Sequence, residues 1–322
     1  MKYLVPVFFL ASAFASAGAP IALDLPVDCR IGQTCFIQQY FDHDPGPGAK
    51  DYRCGALSYD RHDGTDFRLS TLAAQKRGVN VLAAAAGTVK GVRDSMADAD
   101  VRIAGVESVK GRECGNGVVL VHANGWETQY CHLAVGSVRV RVGEQVKAGA
   151  VLGRIGESGD AAFPHLHLSV RHDGQKVDPF AFGAAACGGG TSLWSARAKT
   201  MLVYRSPQLI NSGFAGAPVT MDDIEAGVTP APTAQAPALV AFVRAIGLAA
   251  GDIQTIAVRA PDGSNFVDSR AAPLDHYKAQ WMMIAGKKNT GAGFARGTYA
   301  AHYSVERSGR TVLDKQFSFE LR

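Results

Sequence analysis

Gly115-Asn116-Gly117-Val118-Val119-Leu120-Val121-His122-Ala123-Asn124-Gly125-Trp126-Glu127-Thr128-Gln129-Tyr130-Cys131-His132-Leu133 holds two strand-forming runs joined at Asn124-Gly125. Asn-Gly between such runs is a strong hairpin signal, because both residues tolerate the positive φ that a tight turn requires. Strands are therefore expected over Gly117 to His122 and Trp126 to Leu133, and upstream over Val79 to Ala84 and Gly87 to Val92. The region reads as mainly β, with antiparallel pairing. Because strand side chains alternate, Thr128, Tyr130 and His132 are expected on one face.

That face is expected to meet a strand containing His165-Leu166-His167, whose two histidines project to the same side. A hundred residues earlier, Arg61-His62-Asp63-Gly64-Thr65-Asp66 places a histidine and a carboxylate four apart around a glycine. His62, Asp66 and one histidine of the later pair form an N, N, O set, which would leave the fourth tetrahedral position of a zinc ion open for a reactive water. The other histidine and His132 would stand beside that water to take its proton and steady an oxyanion. His43, His122, His172, His276 and His302 read by default as structural.

His62-Asp63-Gly64-Thr65-Asp66, Ala84-Ala85-Ala86-Gly87-Thr88-Val89, Gly115 to His122, Tyr130-Cys131-His132-Leu133 and Pro164-His165-Leu166-His167-Leu168 follow one another in the order seen in the M23 metallopeptidases, the lysostaphin and LytM type. The resemblance runs over roughly residues 55 to 181 and closes with Val177-Asp178-Pro179-Phe180. It implies a compact antiparallel β fold with a zinc groove. By the same resemblance His62, Asp66 and His167 would hold Zn2+, and His132 and His165 would be the catalytic histidines. The implied activity is a zinc metalloendopeptidase cutting peptide bonds in peptidoglycan stem peptides or cross-links through a zinc-activated water. The alternatives are a non-catalytic relative that activates cell-wall amidases, or a zinc peptidase acting on a protein. Two features depart from the family pattern: the long segment Arg93 to Cys114 and, upstream of the metal motif, Asp42, His43 and Asp44, any of which could block the open metal position.

The rest of the chain sets the context. Residues 1–17 have a basic start, a short apolar stretch and small residues before a cleavage point, so a secretory signal peptide is expected and the mature protein would be periplasmic or secreted. No later segment resembles an apolar membrane-spanning helix of about 20 residues. Charge is mildly basic, 33 Lys and Arg against 29 Asp and Glu, well short of a nucleic-acid-binding stripe. All six cysteines lie within the first 187 residues, and an even set in an exported chain favours disulfides. Cys29 with Cys35 and Cys114 with Cys131 are the local candidates among fifteen possible pairings.

Cys187-Gly188-Gly189-Gly190 suggests a break, so the expected domains are 18–187, M23-like, and 188–322, of unknown role. Thr229-Pro230-Ala231-Pro232-Thr233-Ala234 reads as a loop. Thr298 to Val305, with Tyr299, Ala301, Tyr303 and Val305 on one face, turns at Ser308-Gly309 into the alternating run Phe317 to Leu321. With the turn at Pro261-Asp262-Gly263 these strands point to a small β-sandwich. Trp281, Tyr299 and Tyr303 are expected in its core, and the sandwich is open to a cell-wall or protein partner.

Overall fold

The Asn124-Gly125 hairpin lies inside an eight-stranded antiparallel sheet in the computed structural model, which describes residues 20–322. The expected signal peptide falls outside these residues. Asn124 and Gly125 take φ of 57° and 74°, the paired positive values of a tight hairpin turn. In chain order the first strands are β1 (Cys35–Gln39), β2 (Thr65–Leu69), β3 (Asn80–Leu82), β4 (Gly87–Arg93), β5 (Asn116–Val121), β6 (Trp126–Leu133), β7 (Gln145–Val146), β8 (Val151–Arg154), β9 (His165–His172) and β10 (Gln175–Val177). The sheet runs β1-β2-β9-β6-β5-β4-β7, with β10 continuing the edge of β9 beyond β2, while β3 and β8 pair separately.

One face of this sheet carries Phe67, Leu69, Val118, Leu120, Tyr130, Leu166, Leu168 and Val170 into a continuous core. Each large apolar side chain buried there contributes about 1.5–3 kcal/mol. The opposite face carries Asp66 opposite His167 and Arg68 opposite His165. The alternation of β2 and β9 thus separates core from chemistry. Downstream of Cys187–Gly190, Leu193, Trp194, Ala198 and Leu202 still pack into this first core.

Three disulfides close the region: Cys29–Cys35, Cys54–Cys187 and Cys114–Cys131. Both local pairs form, and the third spans 133 residues. The Arg93 to Cys114 segment is built rather than loosely solvated. Asp94 accepts hydrogen bonds from Ser137 and Val138 N–H, and Asp98 from Val135 and Glu157 N–H. Val101 N–H donates to Ala161 C=O, which fixes the insertion to the segment leading into β9.

The second half contains β11 (Gln208–Ala215), β12 (Ala238–Leu248), β13 (Ile253–Arg259), β14 (Asn265–Arg270), β15 (Lys278–Lys288), β16 (Gly297–Arg307) and β17 (Arg310–Leu321). They form a three-stranded sheet, β11-β12-β15, and a four-stranded one, β14-β13-β16-β17. Leu239, Ala241 and Val243 from the first sheet share a core with Ile256, Tyr299, Ala301, Tyr303 and Val305 from the second. The short helix Met221–Ala226 covers the outer face of β12 through Ile224 against Val240 and Phe242. It starts with a Thr220–Asp223 capping box and stops at Gly227 in the left-handed region. Trp281 corrects the expectation of a core role: it lies opposite Ala245 on the face that buries Met283 and Ala285, yet it is 40% exposed on this edge strand, with the Lys278 ammonium over its ring.

Candidate metal centre

β2 and β9 are adjacent antiparallel neighbours, so Asp66 and His167 lie directly across from each other. His62 arrives from the turn before β2. Gly64 permits this approach: a Cβ there would lie 2.6 Å from His167 Nε2 and 2.6 Å from Leu168 C=O. The outcome is three donor atoms facing one point. His62 Nε2 is 3.2 Å from Asp66 Oδ1 and 3.2 Å from His167 Nδ1, and His167 Nδ1 is 2.9 Å from Asp66 Oδ1.

The outer atoms fix which nitrogens face inward. His62 Nδ1 is 2.7 Å from Tyr40 C=O, an oxygen that can only accept, so Nδ1 carries the proton and Nε2 is left with a lone pair. His167 Nε2 faces Ser169 Oγ at 3.0 Å and Asp63 Oδ1 at 3.3 Å, which directs Nδ1 to the centre. Asp63 is itself held by Lys176. Two imidazole nitrogens and a carboxylate at this spacing match the edge of a zinc tetrahedron, about 3.3 Å for bonds near 2.0 Å. The donor set therefore fits a zinc ion. Among the described residues these three side chains make up the one group placed to hold a metal.

The electrostatics lead to the same conclusion. Burial alone would raise Asp66, but the neighbouring His62 and His165 and hydrogen bonds from His167 and His62 hold its carboxyl well below the usual range. Burial opposes charge on His167, yet hydrogen bonds to Asp63 and Asp66 outweigh it and lift this ring to about 9. A proton thus sits where a cation is wanted, and a metal would displace it.

His132 and His165 stand beside this group, their rings 4.6 Å apart and His165 Nε2 3.7 Å from Asp66 Oδ1. Each donates Nδ1–H to a backbone carbonyl, Ser158 at 2.8 Å and Phe163 at 2.8 Å, so each keeps Nε2 free. Burial pushes His132 well below its ordinary value, helped by His165 and His167, and burial also lowers His165. Both shifts favour the neutral ring.

His132 reaches the site by a route the alternation rule misses. Tyr130 pairs with Leu168 and Cys131 with His167, so Tyr130 belongs to the core face and Cys131 to the metal face. His132 should then return to the core with Tyr130, but its φ of 63° breaks the strand geometry and turns the ring to the metal side. Hydrogen bonds to Cys114 C=O and from Gly156 N–H hold it there. The expectation that Thr128, Tyr130 and His132 share a face is corrected accordingly.

The other candidates are engaged elsewhere. Asp42 accepts from Asp44, Lys50 and Arg61 N–H, Asp44 pairs with Lys50, and His43 bonds Asp178 at 2.7 Å. Asp42, Asp44 and His62 border a cleft also lined by Phe41 and Pro45. His122 bonds Ala86 C=O and Thr128, His172 stacks on Trp126, His276 meets Asp275, and His302 meets Asp314. Asp63, Ser169, Tyr40 and Ser158 contribute to the site without having been singled out. Ser169 could have been found by its i+2 spacing from His167; the two carbonyls carry no sequence signal.

Residues 60–179 match the model of Peptidase family M23. Over 77 residues the chain is 43% identical to DD-carboxypeptidase/endopeptidase Mpg of Neisseria meningitidis serogroup B, a stretch covering 23% of this chain and 17% of that protein. Over 58 residues it is 43% identical to the cell division protein DipM of Caulobacter vibrioides, covering 18% of this chain and 9% of that one. The chain thus matches under a fifth of the length of these relatives. The catalytic domain of the prophage-encoded M23 protein EnpA from Enterococcus faecalis is 24% identical with a TM-score of 0.32, covering 47% of this chain and 92% of that one. The chain carries, over residues 60–179, a domain of peptidase family M23.

Proposed function

We propose that this protein is an exported zinc endopeptidase that hydrolyses peptide bonds in peptidoglycan peptides. The observation that carries the reading is the convergence of His62 Nε2, Asp66 Oδ1 and His167 Nδ1 within 3.2 Å of one another, beside two histidines whose Nε2 atoms are free. Zinc held by the three ligands would polarise a substrate carbonyl and lower the pKa of a bound water toward about 7. His132 and His165, neutral and with Nδ1 anchored, are each able to accept a proton at Nε2 and return it to the departing amine. Once protonated, either ring can donate to the oxyanion that develops on the attacked carbonyl. The similarity to a DD-carboxypeptidase/endopeptidase supports a cell-wall peptide as substrate.

Export is supported by three disulfides, which persist in oxidising compartments. Among the described residues no helix is long and apolar enough to cross a membrane. A purely regulatory role would not require the full donor set and both free imidazoles. The test is incubation of the purified protein with isolated sacculi beside Asp66→Ala, with mass spectrometry of released fragments. New peptide ends confined to the unaltered protein are expected and would identify the bond. Equal release by both proteins, or none from the zinc-loaded protein, would overturn the reading.

A further inference from the structure

The C-terminal sandwich contacts the sheet on the same face as the metal centre, one residue row away. Phe36 of β1, opposite Arg68, packs with Ile210 and Ile246 of the sandwich, and Gln208 Nε2 donates to Ile37 C=O at 3.1 Å. Next to this seam lies Arg68, fully buried, two residues from Asp66 and directly opposite His165. Its guanidinium donates to Glu225 Oε2 at 2.7 Å, to Gln280 Oε1 at 2.5 Å, to Gln38 Oε1 and to Leu69 C=O at 3.1 Å. Glu225 and Gln280 belong to the sandwich half. Glu225 also binds Arg244, which in turn bonds Ser70 C=O and, at 2.8 Å, Asn211.

The other side of Arg68 leads to the active site. Its guanidinium carbon lies 4.4 Å over the ring of Phe163. The Phe163 ring is 4.6 Å from that of His165, and the Phe163 carbonyl accepts His165 Nδ1–H at 2.8 Å. Phe163 is thus held by a cation on one side and holds His165, by ring and carbonyl, on the other. We propose that the C-terminal sandwich is a working part of the active site, with Glu225 acting as a positioning residue that fixes the orientation of His165 through Arg68 and Phe163. The physical reason is that a buried guanidinium is tolerated only where its charge and its N–H groups are matched. Without the Glu225 carboxylate the buried cation loses its counter-charge and is held only by the neutral acceptors Gln280, Gln38 and Leu69 C=O, which loosens it over Phe163 and weakens the support of the residue that orients His165. This inference rests on reading His165 as a proton-transfer group, but its test does not require activity.

The test uses the full chain loaded with zinc and labelled with 15N-histidine. Water exchange of the His165 Nδ1–H is measured by NMR, alongside zinc content and fragment release from sacculi per bound zinc. Glu225→Gln and Phe163→Ala should speed exchange at His165 by about tenfold or more and cut release per zinc about tenfold to hundredfold, with zinc content unchanged within about twofold. Since an unmatched buried cation can unfold a protein, the combined Arg68→Met, Glu225→Met and Arg244→Leu variant removes all three charges while retaining apolar volume. It should reproduce the His165 effect in a protein that melts no lower than the parent. Unchanged exchange and release per zinc in these variants would overturn the proposal, since a purely structural seam would alter melting alone. A parent protein that binds zinc but releases no fragments would remove the peptidase reading and leave the exchange measurement to decide this one.

Discussion

The hairpin β5–β6 and the hairpin β16–β17 are built on the same period-two pattern, yet β16 keeps it from Tyr299 to Val305 whereas β6 leaves it at His132. In β16, Tyr299, Ala301, Tyr303 and Val305 all face the core, as alternation requires. In β6, Tyr130 obeys and His132 does not, and the departure occurs where the ring must meet His165. A strand that follows its pattern throughout is accounted for by packing. A positive φ at a non-glycine residue costs on the order of 1–3 kcal/mol and persists only when neighbouring structure compels it. Here the Cys114–Cys131 disulfide and the hydrogen bonds to Cys114 and Gly156 supply that compulsion.

The paired histidines of β9 separate a structural from a chemical role most directly. His167→Ala should lose zinc and activity together. His165→Ala should keep zinc within about twofold while turnover falls about 10²–10⁴-fold, the usual contribution of a proton-transfer group. Metal analysis beside fragment release checks both, and equal zinc loss in the two variants would refute the division of roles. In the regular hairpin, Tyr303→Ala should cost about 3–5 kcal/mol of stability through a core cavity. Its turnover per zinc, measured well below the melting transition, should stay at the parental level. Denaturant titration with a parallel activity assay separates the two effects.

A smaller effect is expected one layer out from the metal set. Ser169→Ala removes one of the two groups that direct His167, and zinc affinity measured by chelator competition should drop about 10–100-fold. The smallest effect concerns Glu157, which the insertion holds next to Ser158. Burial, then the nearby Asp100, Glu225 and Asp98, push its carboxyl from 4.5 up to about 7. The folded protein therefore binds that proton more tightly than the unfolded chain, and stability declines as pH rises from 4.5 to 7. Glu157→Gln should raise the melting temperature at pH 8 and leave it unchanged below pH 4.5. A gain of equal size at both values would show that ionisation is not the cause.

Much of this was legible beforehand because it depends on local patterns. Asn124-Gly125 marks its hairpin by turn chemistry, and the alternation of Tyr299 to Val305 marks its buried face. The His62, Asp66 and His165-Leu166-His167 spacings bring chemistry-bearing side chains to one side of adjacent strands. Val79 to Ala84 was readable as a strand but shortens to Asn80–Leu82 and pairs with β8, since an apolar run does not specify its partner. Trp281 sits on the face that Met283 and Ala285 bury but remains exposed, because periodicity assigns a face and not how far along the strand that face is covered.

What the sequence determined by itself is the set of residues able to bind a metal and move a proton, since donor chemistry and strand spacing are properties of the residues and their order. Tertiary structure alone decided the remainder. It brought three donor atoms to one point, chose His167 Nδ1 over Nε2 through Ser169 and Asp63, and turned His132 against its own strand. It also placed Glu225 of the sandwich on Arg68, 157 residues away in the chain. Those outcomes depend on contacts between segments remote in sequence, whose geometry exists only once the chain has closed on itself.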